Sequence, residues 1–202
     1  MTLATDYLLA GVSAWLAFLI FRLGGSKHWA AALCCLALAA LAGGTYHGFP
    51  QFHPGLLWGA AELFAGLASF LMVVATARAT GYFPRTIFSL AAAKLMLYLS
   101  WIVSHDEFIW VVVDTASALL FVVVLHTIKR DAAWRWMVGG VALSVVAALV
   151  QAAGLAPHPR FNHNDLYHVI QIAAVVLLYR GARRLSDARA PTPAPPAAGW
   201  RP

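Results

Sequence analysis

The sequence predicts an all-α polytopic membrane protein: a seven-transmembrane-helix bundle with its N-terminus outside and its C-terminus cytoplasmic. Three observations predict it. The chain has 202 residues, of which 61% are hydrophobic and 11% charged, where a soluble domain carries roughly 25% charge. The apolar residues fall into seven long runs separated by short polar punctuation, and a spanning helix needs about 20 such residues. The basic residues cluster at alternate punctuation points. So few charges could not cover a soluble globule, which argues against a soluble enzyme, a nucleic-acid module and a disordered chain.

The expected spans run in order along the chain. Span 1 covers Tyr7–Phe21, span 2 Trp29–His47 and span 3 Leu56–Thr76. Span 4 covers Thr86–Ser104, span 5 Glu107–Ile128, span 6 Trp134–Gly154 and span 7 Asn164–Ala182. Short connections make neighbouring spans antiparallel neighbours in one domain, residues 1–185. Met1–Asp6 has no basic stretch and no cleavage site follows, so span 1 is expected to be a retained anchor rather than a signal peptide. Residues 186–202, with Ala190-Pro-Thr-Pro-Ala-Pro-Pro, are expected to form a disordered, Pro/Ala-rich cytoplasmic tail.

Lys and Arg fix the expected orientation. One side receives Arg22, Lys27, Arg78, Arg85, Lys129, Arg130, Arg135, Arg180, Arg183, Arg184, Arg189 and Arg201. The other receives only Arg160, while Lys94 falls inside span 4. Basic residues favour the cytoplasmic face. The formal charge of +6 therefore needs no nucleic-acid partner, and it suits anionic lipid. Abundant Ala and Arg are compatible with a GC-rich bacterial genome, so the expected location is a bacterial inner membrane, with "outside" then periplasmic. The two cysteines, Cys34 and Cys35, are adjacent in an apolar run and carry no ligand spacing.

Six of the eight histidines fall on or near the outer face: His47, His53, His105, His158, His163 and His168. His28 and His126 fall at the cytoplasmic side. Glu62 lies about two turns into span 3, and Asp114 about two turns into span 5. A charge in the bilayer is costly, so Glu62, Lys94 and Asp114 should face the bundle with partners; Lys94 could pair with either acid, and a plain buried ion pair is one reading. His53, His105 and His158 read as solvated loop residues. Ala39, Gly43, Gly44, Gly59, Ala65 and Gly66 read as close-packing positions. Trp15, Trp29, Trp58, Trp101, Trp110, Trp134 and Trp136 read as interfacial anchors.

The strongest local motif is Phe161-Asn-His-Asn-Asp-Leu-Tyr-His168, ahead of an apolar helix. Asn162 or Asn164 can cap that helix, and Asp165 suits its positive end. Capping alone would explain the segment. A sharper reading is a zinc site, because neutral imidazoles are zinc ligands and three ligands plus a water make a catalytic centre. His47, His163 and His168 would hold the metal, and Glu62 or Asp165 would serve as general base. His163 and His168 are five apart, so His163 joins only if it lies at or before the cap.

The run from Asn164 to Tyr179, opening a seventh span, resembles the last helix of the CREST superfamily. That group holds alkaline ceramidases, progestin and adiponectin receptor-like proteins and haemolysin III-like proteins. The resemblance implies seven spans, three zinc-binding histidines and an acid on the third span. Transferred singly, His47 matches the second-span histidine and His168 the second histidine of the last span. Glu62 matches the third-span acid, where the family usually has aspartate. Two positions depart: Asn164 stands where a histidine is expected, with His163 beside it, and Gly43 stands where a serine is expected, with Thr45 the nearby hydroxyl.

The function expected is a zinc-dependent membrane hydrolase cleaving an amide or ester bond of a lipid. The alternatives are a receptor or sensor binding a lipid, haem or metal ion, and a transporter using Glu62, Lys94 and Asp114 as a relay. Oligomeric state is not legible.

Overall fold

The protein, in a computed structural model, is described over residues 2–105 and 107–187. Seven helices occur among the described residues: α1 Thr2–Arg22, α2 Lys27–Gly48, α3 Pro54–Thr80, α4 Pro84–Ile102, α5 Ile109–Lys129, α6 Trp134–Ala152 and α7 His163–Asp187. Each contains one expected span or most of it, and α7 runs on to Asp187. The expected disordered tail otherwise lies outside the described residues.

Five helices, α1, α2, α3, α5 and α6, are long and apolar enough to cross a membrane, so this is a membrane protein. A helix of 21 residues such as α1 extends about 31 Å, close to the ~30 Å hydrocarbon thickness. The other two helices, α4 and α7, carry more polar side chains. Arg85, Ser89 and Lys94 lie on α4, and Asn164, Asp165, His168 and Gln171 on α7.

The helices close into a ring. α1 packs on α2 and α7, α2 on α3, α3 on α5, α5 on α6, and α6 on α7. α4 stands outside the ring, chiefly against α3. Its only buried residues are Ala91 and Tyr98, whereas Leu90, Met96 and Leu97 are exposed. Exposed apolar side chains also line α1 (Trp15, Phe18, Phe21), α5 (Val113, Leu120) and α6 (Val145, Leu149). Such a surface would drive association in water, but it is what hydrocarbon solvates.

The interior is built from small residues, including Ala30, Ala32, Ala37, Ala40, Ala75 and Ala182, which let helices approach closely. Gly44 is the tightest point between α1 and α2: a Cβ there would lie 2.7 Å from Asp6 Cβ and 2.9 Å from Tyr7 Cδ1. Gly66 plays the same part against Tyr98 of α4. Gly43 and Gly59, also read as packing glycines, face open space instead.

Two polar groups stabilise the frame away from the ring's centre. Lys94 pairs with Asp114, joining α4 to α5, and its Nζ also donates to the Asp114 carbonyl at 3.1 Å. His126, expected at the interface, is fully buried. The left-handed turn at Arg130 brings Asp131 back onto it, with Oδ2 2.6 Å from Nδ1. The same carboxylate accepts the Ala133 amide at the start of α6. Trp29, expected as an interfacial anchor, is also fully buried.

Candidate functional site

The site grows from the seam where α1 meets α7. Asn162 caps α7: its Oδ1 accepts the amides of Asn164 at 2.9 Å and Asp165 at 3.1 Å. Asp165 reciprocates, its Oδ2 accepting the Asn162 amide at 2.9 Å. This is a capping box with an aspartate in the acidic position. It fixes the first turn of α7 and buries Asp165 completely.

The capped turn docks on the start of α1. Asn162 Nδ2 donates to Thr2 Oγ1, and Thr5 Oγ1 lies 3.2 Å from Asp165 Oδ1. The same hydroxyl lies 3.1 Å from His168 Nδ1. On its other side, His168 Nε2 lies 3.0 Å from Asp6 Oδ1. A buried polar chain therefore runs Asp165, Thr5, His168, Asp6.

The proton count along this chain is constrained. Thr5 has one hydroxyl proton. Three acceptors face it, because the Thr2 carbonyl lies 3.0 Å away as well; if the proton goes to His168 Nδ1, the neutral ring carries its own proton on Nε2 and donates it to Asp6. If it goes to Asp165 or to the Thr2 carbonyl, the ring donates from Nδ1, and the proton between Nε2 and Asp6 comes from a protonated acid or an imidazolium. With all these bonds made, one proton lies between His168 and Asp6. The second oxygen, Asp6 Oδ2, is buried and has no hydrogen-bond partner among the described residues.

Asp6 and His168 line a cavity of about 360 Å3 that extends into the ring, a size typical of small-molecule sites. His47 at the end of α2 and Glu62 of α3 line it too, as do Asn164 and Gln171 of α7. Glu62 is buried and His47 exposed. Trp58, one turn before Glu62, also lines it, and its ring meets Tyr46 at 5.2 Å and Phe108 at 6.0 Å. The rest of the wall is apolar, with Leu9, Leu33, Leu36, Met72 and Leu119. The cavity is therefore amphiphilic: imidazoles and carboxylates occupy part of its wall, and hydrocarbon the remainder.

The structure thus brings His47, Glu62 and His168 to one cavity. It does not bring His163, which opens α7 but is not among the lining residues. Five residues of helix turn a side chain by about 140° relative to His168, so the two histidines face different ways. Asn164, four before His168, takes the inward position. Asp165 is buried in the cap and is linked to His168 by way of the Thr5 hydroxyl. Lys94 and Asp114 pair with each other and do not line the cavity.

The loop histidines expected to be solvated are placed locally. His105 stacks on Trp101 at 4.1 Å, His158 Nδ1 accepts the Arg160 amide, and His53 holds a left-handed backbone before α3. Asp6 and Thr5 escaped the sequence reading. The signal was present, since Asp6 is the only charged residue before Arg22 in an otherwise apolar run.

Among the described residues, no group of three or more His, Cys, Asp or Glu side chains is disposed to hold a metal ion. The chemistry of the donor set nonetheless suits zinc, because two imidazoles and a carboxylate form a known catalytic set, and His47, His168, Glu62 and Asp6 share this cavity.

Fold and cavity together define a helical membrane protein with an acid–imidazole site inside its bundle. The chain belongs to a family of unknown function, DUF6962, whose model matches residues 1–187. The match ends with the last residue of α7. No curated protein and no solved structure matches the chain.

Proposed function

We propose that this protein is an integral-membrane hydrolase that cleaves an amide or ester bond of a lipid. The observation that carries the reading is the amphiphilic cavity itself, with Asp6 hydrogen-bonded to His168 and its second carboxylate oxygen left without a described partner. A lipid headgroup would meet the imidazoles and acids, and the acyl chain would lie along Leu33, Leu36 and Met72.

In this reading all seven helices span the membrane, with the N-terminus outside and the C-terminus cytoplasmic. The skew of Lys and Arg to one side supports that orientation. In a bacterial inner membrane the cavity would open toward the periplasm. His47, His168 and one carboxylate, from Glu62 or Asp6, would hold a zinc ion. Bound there, zinc would lower the pKa of a water and polarise a carbonyl. The chain's own contribution is proton handling: Thr5 would orient the His168 ring through Nδ1 while Nε2 turned from Asp6 to the metal, and Glu62 or Asp6, whichever carboxylate does not hold the ion, would act as base. His163 has no part in this scheme, and Asp165 acts as a positioning residue.

The test is hydrolysis of fluorogenic short-chain lipid amides and esters by detergent-purified protein, with elemental analysis of the same samples. Turnover should fall at least about 100-fold in His168→Ala, the scale of a lost acid–base group. Zinc should be bound at about one ion per chain and lost in both His47→Ala and His168→Ala. Hydrolysis that survives His168→Ala would overturn the reading.

A second reading is a non-enzymatic lipid receptor or binder. Both nitrogens of His168 are already engaged, by Thr5 and Asp6, as suits a recognition site. Saturable lipid binding without turnover, weakened by Asp6→Asn, would select it.

A further inference from the structure

A second cavity lies at the other end of the ring. It is a crevice of about 940 Å3 between the starts of α2 and α4 and the end of α3. Lys27 and His28 of α2, Arg78 of α3 and Arg85 of α4 line it. Among the described side chains no acid lines it. Four basic groups from three helices thus converge on one opening.

Two further features point to an anion. The crevice contains the N-terminus of α2, a helix of 22 residues. Ser26 caps the Trp29 amide at 3.4 Å, while the first helical amides, at Lys27 and His28, have no partner within the helix. Independently, Trp29 is one of the residues lining the crevice and is fully buried, yet its indole Nε1 has no hydrogen-bond partner among the described residues. A buried donor without an acceptor is costly. An anion in the crevice would supply the acceptor.

We propose that this crevice binds a phosphate group. Phosphate supplies several acceptor oxygens, matching the Lys27 and Arg85 side chains, the α2 amides and the Trp29 N–H. Phe88 also lines the crevice and is exposed, and α4 leaves Leu90 and Leu97 uncovered nearby on the same helix. The ligand is thus a phosphate carried either by a membrane phospholipid or by a soluble molecule. Basic pockets between membrane helices are a recurring headgroup site. This site is separate from the Asp6–His168 cavity and stands whether or not that cavity is catalytic.

The experiment titrates full-length protein in neutral detergent with phosphatidylglycerol and, separately, with inorganic phosphate, against sodium chloride at equal ionic strength. Thermal midpoint is the readout. A midpoint that rises with phosphatidylglycerol alone identifies a lipid headgroup, and one that rises with both identifies the phosphate itself. Lys27→Gln/Arg85→Gln, both at exposed positions, should weaken binding about tenfold or more. Trp29→Phe should weaken it by a similar factor. Arg135→Gln/Arg180→Gln removes the same charge from exposed residues outside the crevice and should change affinity less than about twofold. No rise with either phosphate source would overturn the proposal, as would equal losses in the two double variants.

Discussion

Lys94→Met should destabilise the protein by about 3 kcal/mol, and Lys94→Met/Asp114→Leu should restore most of that loss. Asp114 is buried, with a side chain 5% exposed, and Lys94 is its ion-pair partner. Its other oxygen, Oδ2, has no hydrogen-bond partner among the described residues. Removing Lys94 therefore strands a carboxylate between α4 and α5. Two routes give the size. Breaking a buried pair costs about 3–5 kcal/mol, and a charge in hydrocarbon costs up to about 2.5–3.5 kcal/mol, the value at the centre of a span. The ranges overlap near 3. Asp114→Leu alone should cost less, because the Lys94 side chain is 34% exposed and its stem can carry the ammonium outward. The double variant removes both charges and should lie within about 1 kcal/mol of wild type. Unfolding by SDS titration in mixed micelles measures all four corners of the cycle. A single-variant cost below about 1 kcal/mol would refute the clamp. So would a double variant as unstable as Lys94→Met. Because neither residue lines the cavity, the double variant should keep wild-type ligand affinity, which a transport relay through Lys94 and Asp114 would not allow.

Three further substitutions probe the seam and the cap. Gly44→Ala would set a methyl 2.7 Å from Asp6 Cβ and should cost about 1–3 kcal/mol in thermal unfolding, whereas Gly43→Ala next to it meets nothing within 4 Å and should be near neutral. Asn162→Ala removes the acceptor for two α7 amides and should cost about 1 kcal/mol, with faster amide exchange confined to the first turns of α7.

The helices were legible because spanning a membrane leaves a strong mark. Long apolar runs bounded by polar punctuation placed the seven elements, and Phe161–His168 announced the α7 cap. Depth was legible too: His47, Glu62 and His168 were expected on one side of the bundle, and they share a cavity. Azimuth was not. Nothing in a uniformly apolar helix says which face turns inward, so His163 looked equivalent to its neighbour Asn164, although only Asn164 lines the cavity. Trp29 was misplaced for the same reason. A tryptophan near a span end reads as interfacial, but burial against the ring decides otherwise. The α1 contribution was hidden by position. Thr5 and Asp6 precede the apolar run and look like a polar leader until α7 is folded against them.

That last contact joins the site to the architecture. Thr2, Thr5 and Asp6 belong to the first helix, and Asn162, Asp165 and His168 to the last. The hydrogen bonds among them span some 160 residues of sequence and close the ring. Such contacts form only when both ends of the bundle are in place, because each half alone leaves polar groups facing hydrocarbon. A buried polar chain is also worth most when every member is satisfied. The acid–imidazole pair therefore cannot exist in a partly assembled bundle, and closing α1 onto α7 both completes the fold and creates the site. Asp6 Oδ2 is the exception in that chain. An atom left unsatisfied at the point of closure, on a residue that lines the cavity, is where a ligand gains most by arriving.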